Sequence, residues 1–232
     1  MKDKNHAPAA GRVLGLFAKQ PQPGQVKTRL AAAVSTEWAA RVAAAFLHDT
    51  VKRLAQVEAR RILCFSPAEA RCYFEALTAP QFALTPQSDG DVGRRMVAFF
   101  AEQLKADAKQ VVLLGADSPT VPLAYIEQAF HALQNADVVL GPATDGGYYL
   151  LGCAGSVPGI FQAIPWGSSQ VLDSTMEAIA RGRYRFAILP PWYDVDTLDD
   201  WRMLKGHVAA MRQAGFDPEI VHTERLLQEP IP

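Results

Sequence analysis

The sequence predicts an α/β fold, a single-domain three-layer α/β/α sandwich around a mixed, mainly parallel sheet. Three observations carry that prediction. Apolar runs of strand length recur along the 232 residues, with helical patterns between them. Runs such as Val111-Val112-Leu113-Leu114 are apolar on both faces, as central parallel strands covered by helices must be. The pair Gly146-Gly147 lies between two apolar runs and marks a tight turn, so this region departs from simple strand–helix alternation.

The elements follow in order. Strands are expected over residues 12–18, 61–66, 82–86, 111–117, 137–143, 148–153 and 186–190. Helices are expected over 36–56, 67–77, 92–105, 122–134, 169–181 and 198–214. Ser35 is a suitable N-cap for the second segment of the chain, with Glu37 in the first turn. Pro67 and Pro122 suit a first helical turn, where a missing N–H costs nothing. Thr197 with Asp200 three residues on matches a capping box. The alternation implies right-handed crossovers between parallel strands. The expected organisation is a disordered tail over 1–10, one domain over 11–215, and a C-terminal helix and tail over 216–232.

Composition narrows the function classes. Hydrophobic residues make up 49% and charged ones 20%, enough apolar material for a sizeable core. A net charge of −1 argues against nucleic acid, which demands a broad cationic excess. Residues 1–10 lack an apolar signal-peptide core, and no apolar run reaches membrane-spanning length, so the expected location is cytoplasmic. Cys64, Cys72 and Cys153 are odd in number, lack ligand spacing and fit reduced thiols. The histidines show no zinc spacing, and no nucleophile elbow, Walker loop or dinucleotide fingerprint occurs.

The segment Phe17-Ala18-Lys19-Gln20-Pro21-Gln22-Pro23-Gly24-Gln25-Val26-Lys27-Thr28-Arg29-Leu30 is the most informative one. A buried strand empties into a stiffened basic loop, and a helical pattern follows. Cations and free backbone N–H groups would meet an anion there, at the carboxyl edge of the sheet. A solvated surface loop would read similarly, so the remaining segments decide. Asp117, in Gly115-Ala116-Asp117-Ser118-Pro119, projects from the end of a central strand. Holding a divalent cation competes there with ordering the turn before Pro119. Asp194 and Asp196 alternate, so in extended chain their side chains face the same way. With Asp117 they would form a hard oxygen site suited to Mg2+ or Mn2+. Asp199 and Asp200 are read as complements to a helix dipole. In Gly141-Pro142-Ala143-Thr144-Asp145-Gly146-Gly147-Tyr148, the glycines allow close approach, and Asp145 with Tyr148 would hydrogen-bond a substrate. In the loop Gln87 to Met96, Asp91 would cap a helix, and Arg94 or Arg95 would reach a phosphate or carboxylate.

Taken in order, these segments resemble a bacterial glycosyltransferase-like family of the nucleotide-diphospho-sugar transferase (GT-A-like) superfamily. The resemblance spans about residues 13–201. It rests on F-A-K-x-P-x-P-G-x-V-K-T-R-L, Q-x-x-G-D-x-G-x-R-M, G-A-D-S-P, G-P-A-x-D-G-G-Y-Y-L-L-G, W-G-S-S and D-V-D-T. The layout is also similar to 2-phospho-lactate guanylyltransferases, molybdenum-cofactor nucleotidyltransferases and sugar-nucleotide pyrophosphorylases. The glycine-pair loop of the pyrophosphorylases is replaced here by residues 19–24, and Leu198 stands where relatives often have proline.

The resemblance implies a Rossmann-like GT-A fold and a metal-dependent transferase using a nucleoside diphosphate sugar. It implies that Lys27 and Arg29 hold phosphates, helped by Lys19, Gly24, Thr28, Gln87, Asp91 and Arg95. Asp117, Asp194 and Asp196 would bind Mg2+ or Mn2+. Lys27, Asp117 and Asp145 would carry the chemistry, and Asp145, Gly146, Gly147 and Tyr148 would receive a small-molecule acceptor. A nucleotidyltransferase releasing pyrophosphate is the alternative, and a non-catalytic nucleotide-binding module the second. Neither nucleic acid nor a membrane span is expected, and a homodimer is left open.

Overall fold

The first strand, β1 (Arg12–Lys19), fixes the layout because its residues alternate between two buried faces. Val13 packs into one cluster, while Leu14 and Leu16 pack into the other. Gly15 lies between them, where a Cβ would sit 2.4 Å from the Phe99 ring, so only glycine admits that aromatic. The strand β4 (Gln110–Gly115) repeats the alternation, with Val111 and Leu113 on one face and Val112 and Leu114 on the other. The molecule is a computed structural model describing residues 11–78 and 80–232. The expected tail over 1–10 lies outside the described residues.

The other strands are β2 (Arg60–Ser66), β3 (Ala83–Pro86), β5 (Val138–Pro142), β6 (Tyr148–Ala154) and β7 (Phe186–Ile188). They form one seven-stranded sheet in the order β3-β2-β1-β4-β6-β5-β7. Every neighbouring pair is parallel except those involving β6, which runs antiparallel to β4 and β5. The Gly146-Gly147 turn produces this reversal, as its position between apolar runs predicts. Because β6 runs backwards, its first residue, Tyr148, lies at the edge where the parallel strands end.

Helices α2 (Thr36–Leu54), α3 (Arg71–Thr78) and α5 (Leu123–Ala132) cover one face of the sheet. Helices α4 (Val92–Lys105) and α6 (Val171–Gly182) cover the other. This is the three-layer arrangement expected, and the expected helix over 67–77 resolves into a short 3-10 turn, Ala68–Ala70, followed by α3. Ser35 accepts from Trp38 N at 3.1 Å, and Thr197 with Asp200 forms the capping box that opens α7 (Leu198–Gln213). Fully burying each large apolar side chain contributes about 1.5–3 kcal/mol.

A third cluster lies outside the sandwich. The six-residue α1 (Thr28–Ala33), α7 and α8 (Val221–Gln228) pack on the outer face of α2. Trp201 lies edge-on to Trp38 at 5.1 Å and stacks on Phe46 at 6.2 Å. The start of α8 is capped from α2: Asp49, fully buried, accepts from His222 N at 3.1 Å and Thr223 N at 2.7 Å. That contact satisfies two helix N–H groups that would otherwise lack partners. Among the described residues, no helix is long and apolar enough to cross a membrane.

Candidate active site

Four segments reach the carboxyl edge together, each leaving the end of a strand. Residues 20–27 follow β1, 116–122 follow β4, 143–147 join β5 to β6, and 189–197 follow β7. Backbone hydrogen bonds stitch them. Thr144 N donates to Trp192 O at 3.1 Å, Trp192 N to Pro142 O at 3.0 Å, and Val195 N to Asp117 O at 3.1 Å. The cavity between them has a volume of about 800 Å3. Open α/β sheets bind ligands at this edge.

Lys27 organises the acidic side. It is the N-cap of α1, with φ 46° and ψ 47°, a left-handed conformation that costs a non-glycine residue of order 1–2 kcal/mol. Its side chain is only 2% exposed and passes beside the Phe46 ring, 5.2 Å from the centroid. The ammonium donates to Asp117 and, at 3.1 Å, to Asp196. Burial alone would lower its pKa, but the two carboxylates more than offset this and the net shift is upward. The contacts of the Lys27 ammonium are to these two carboxylates.

Asp194 lies on the other side of Val195, which is fully buried, and accepts from the Ser118 hydroxyl. Burial pushes its carboxyl up to about 7. Asp117, Asp145 and Asp196 add to that rise, and the Ser118 hydrogen bond opposes it. Arg53, from the end of α2, holds the same Asp117–Ser118 loop from beneath. Its guanidinium donates to Pro119 O at 2.5 Å and to Val121 O at 2.8 Å. Further support comes from Thr120, which donates to the Tyr193 hydroxyl at 3.2 Å, and from Tyr193, which meets His207 Nδ1 at 2.7 Å.

The sequence-derived residues divide into those on the cavity and those away from it. Lys19, Arg29, Gln87, Asp117, Asp145, Gly147, Tyr148, Asp194 and Asp196 line it, and Lys27 lines an adjoining pocket of about 250 Å3. Gly24, Thr28, Asp91, Arg95 and Gly146 do not line the main cavity. Asp91 caps α4, accepting from Arg94 N at 2.8 Å. Gln87 donates to Cys64 O at 2.9 Å and accepts from Arg95 at 2.9 Å, while Arg95 also holds Gly90 O. Those contacts order the loop, so Gln87 and Arg95 serve its shape first. The Tyr148 hydroxyl is buried, so this residue offers the cavity its ring instead of the hydrogen bond expected of it. Burial also raises its pKa, opposed by Thr175.

Two features of the cavity fit a polyphosphate and a hard cation. Arg29 is exposed on the lining, and among the described residues its side chain makes no ion pair or hydrogen bond. Gly115, also exposed on the lining, would place a Cβ in open space, as expected where a ligand approaches the backbone. Four carboxylates, from Asp117, Asp145, Asp194 and Asp196, stand near one another with the single ammonium of Lys27 among them. Carboxylate oxygens suit Mg2+ or Mn2+. Among the described residues, however, no three His, Cys, Asp or Glu side chains converge to hold a metal by themselves. Mg2+ ordinarily needs only one or two carboxylates when substrate phosphates and water complete its shell, so the donors present fit that mode.

Sequence reasoning passed over Ser118 and Trp166. Ser118 stood in the Gly115-to-Pro119 segment beside the more conspicuous Asp117. Trp166 opens the Trp166-Gly167-Ser168-Ser169 string, noted there without a role.

Comparison with known proteins agrees with this fold. Residues 50–168 match the family described as uncharacterized protein conserved in bacteria (DUF2064). A protein from Desulfovibrio desulfuricans G20, described as a candidate nucleotide-diphospho-sugar transferase, is 32% identical. It superposes with a TM-score of 0.84 over 95% of this chain and 98% of its own. A cytidylyltransferase from Leptospira borgpetersenii shares the fold at 10% identity, with a TM-score of 0.55 and 94% of each chain covered. A CMP:2-keto-3-deoxy-manno-octonic acid synthetase complexed with CTP shares it at 12% identity and a TM-score of 0.54, over 88% of this chain and 100% of the other. No curated protein matches the chain. The motifs at the strand ends, the sheet order and these matches lead to one assignment: the chain belongs to the DUF2064 family of bacteria, within the nucleotide-diphospho-sugar transferase superfamily.

Proposed function

We propose that the protein is a metal-dependent transferase that uses a nucleoside diphosphate sugar and a small-molecule acceptor. The observation carrying this reading is that Asp117, Asp194, Asp196 and Arg29 line one strand-end cavity, with Lys27 in an adjoining pocket donating to Asp117 and Asp196. Arg29, in α1, binds the diphosphate, with Lys19, at the end of β1, on the same lining. Asp117 and Asp194 hold the cation, which when bound neutralises charge on the departing diphosphate. Asp196 keeps Lys27 in place, and Lys27 sets the position of Asp117. Asp145 orients the acceptor, its carboxylate already fixed by Gly147 N at 2.9 Å. Groups held in place before the reaction stabilise developing charge without reorganising.

The test is a thermal-shift screen of nucleotides and nucleotide sugars with and without Mg2+ or Mn2+, followed by product analysis. A metal-dependent shift with a nucleotide sugar, then release of nucleoside diphosphate, is the expected result. Release of pyrophosphate from a nucleoside triphosphate would instead establish nucleotidyl transfer, a reading favoured by the fold shared with the cytidylyltransferase. Binding without turnover across a broad acceptor panel would indicate a non-catalytic module. An absence of nucleotide binding would overturn the proposal.

A further inference from the structure

The Trp166-Gly167-Ser168-Ser169 loop has no part in the scheme above, yet all four residues line the cavity. It is built against the other side of the site. Gly146 has φ 92°, and a Cβ there would lie 2.2 Å from Ser169 O, while Leu172 N donates to Gly146 O at 2.9 Å. The loop and the Gly146-Gly147 turn are therefore one packed unit. Trp166 lies edge-on to Tyr148, with ring centroids 6.4 Å apart. Its indole fits only because residue 93 is glycine, since a Cβ there would lie 2.3 Å from the indole Nε1. Among the described residues the indole N–H makes no hydrogen bond, and the half-buried ring lines the cavity.

Charge is distributed unevenly around this cavity. Among the described residues lining it, Lys19 and Arg29 are the cations, the first ending β1 and the second lying in α1. The wall made by Tyr148, Trp166, Ser168 and Ser169 carries none, and the turn packed against it brings the Asp145 carboxylate to the same lining. Two aromatic rings, serine hydroxyls and a carboxylate form a surface for apolar C–H faces and for hydroxyl groups. The same surface repels a phosphate or a carboxylate.

We infer that this loop is the acceptor subsite, that it takes a neutral polyhydroxylated ring, and that Trp166 determines its specificity. The inference rests on the transferase reading for the word acceptor. The selection for a neutral ring follows from the wall itself. The acceptor enters with an apolar face against the indole and with hydroxyls towards Asp145 and the serines. An acceptor whose far end is a phosphate or carboxylate is excluded by charge.

Saturation-transfer NMR on the full chain with Mg2+ tests this. Methyl α-D-mannopyranoside and methyl α-D-glucopyranoside are the neutral probes, and glucose 6-phosphate and phosphoglycolate the anionic ones. At least one neutral glycoside should bind, and Trp166→Ala should weaken it about tenfold, the scale of one lost ring contact. Trp166→Phe, which retains a ring against Gly93, should weaken it less and serves if the alanine variant does not fold. Equal glycoside binding in wild type and both variants, no glycoside binding to the wild type, or Trp166-dependent preference for the anionic probes would each overturn the inference. The thermal shift of the same variants with nucleotide and Mg2+ separates the two proposals. A retained nucleotide shift with no Trp166-dependent glycoside binding defeats the subsite alone. Loss of every nucleotide shift in the wild type defeats the transferase reading instead.

Discussion

Lys27 and Arg53 are both buried cations, and both grip the loop after β4, but they hold different parts of it. Lys27 binds the carboxylates of Asp117 and Asp196, whose side chains are 54% and 38% exposed. Arg53 binds the neutral carbonyls of Pro119 and Val121 and, among the described residues, pairs with no carboxylate. Burial, its largest influence, lowers the Arg53 pKa, while Glu219 and Asp49 act in the opposite sense from a distance. The difference separates support from function. A guanidinium spent on backbone fixes where the loop runs. An ammonium held by partly exposed carboxylates balances the charge of groups that face the cavity.

The largest expected effect breaks the supporting half. Arg53→Met leaves two buried carbonyls without their donors and should cost about 3 kcal/mol of stability, read from urea unfolding. Arg53→Lys should recover part of that loss. If Arg53→Met unfolds at the wild-type midpoint, the guanidinium does not brace the loop. The second effect falls on ligand binding. Lys27→Met should weaken metal-dependent nucleotide affinity by about 1.5–3 kcal/mol in calorimetry. Its cost in stability should stay below about 1 kcal/mol, because water reaches both carboxylates. A large stability loss with intact affinity would reverse the roles assigned to the two cations.

A third change sharpens the comparison within the acidic cluster. Asp194→Asn removes one of four crowded carboxylates but keeps an oxygen facing Ser118. The unliganded protein should be as stable as the wild type or more so, by roughly 1 kcal/mol, while the metal-dependent thermal shift disappears. An unchanged shift with Mn2+ would remove Asp194 from the cation site.

The smallest effect lies far from the cavity, where His48 packs 4.9 Å from His222 between α2 and α8. Burial lowers the His48 pKa, His222 lowers it further, and Asp49 opposes. A depressed histidine stabilises the fold above its unfolded pKa of about 6.5, and the contribution is lost as pH falls through the lower folded value. Between pH 7 and pH 5 the wild type should therefore lose more melting temperature than His48→Gln. The difference should correspond to less than about 1 kcal/mol, given its partial exposure.

The sheet was legible because its signal is local. Val111 to Leu114 announce a strand covered on both sides, and the Gly146-Gly147 turn announces the reversal at β6. The acidic residues after the strands were legible for the same reason: a strand end is a place in the sequence as well as in the fold. Which partners those residues choose was not. Lys27 reaches Asp117 and Asp196 across 90 and 169 positions, and Arg53 reaches Pro119 across 66. Asp49 reads as one polar residue on a helix until α8, some 174 positions later, brings it two N–H groups. Side-chain periodicity holds no record of such distances. Tyr148 shows the opposite difficulty, since its placement followed from the turn but its hydroxyl went to the protein interior.

Gly93 has a consequence beyond the present sequence. One hydrogen atom in place of a methyl group lets the indole of Trp166 rest against α4. Gly93→Ala would push that ring outward and reshape the cavity wall without touching the acidic cluster. Position 93 thus sets how close the indole wall stands to α4, adjustable independently of the carboxylates across the cavity.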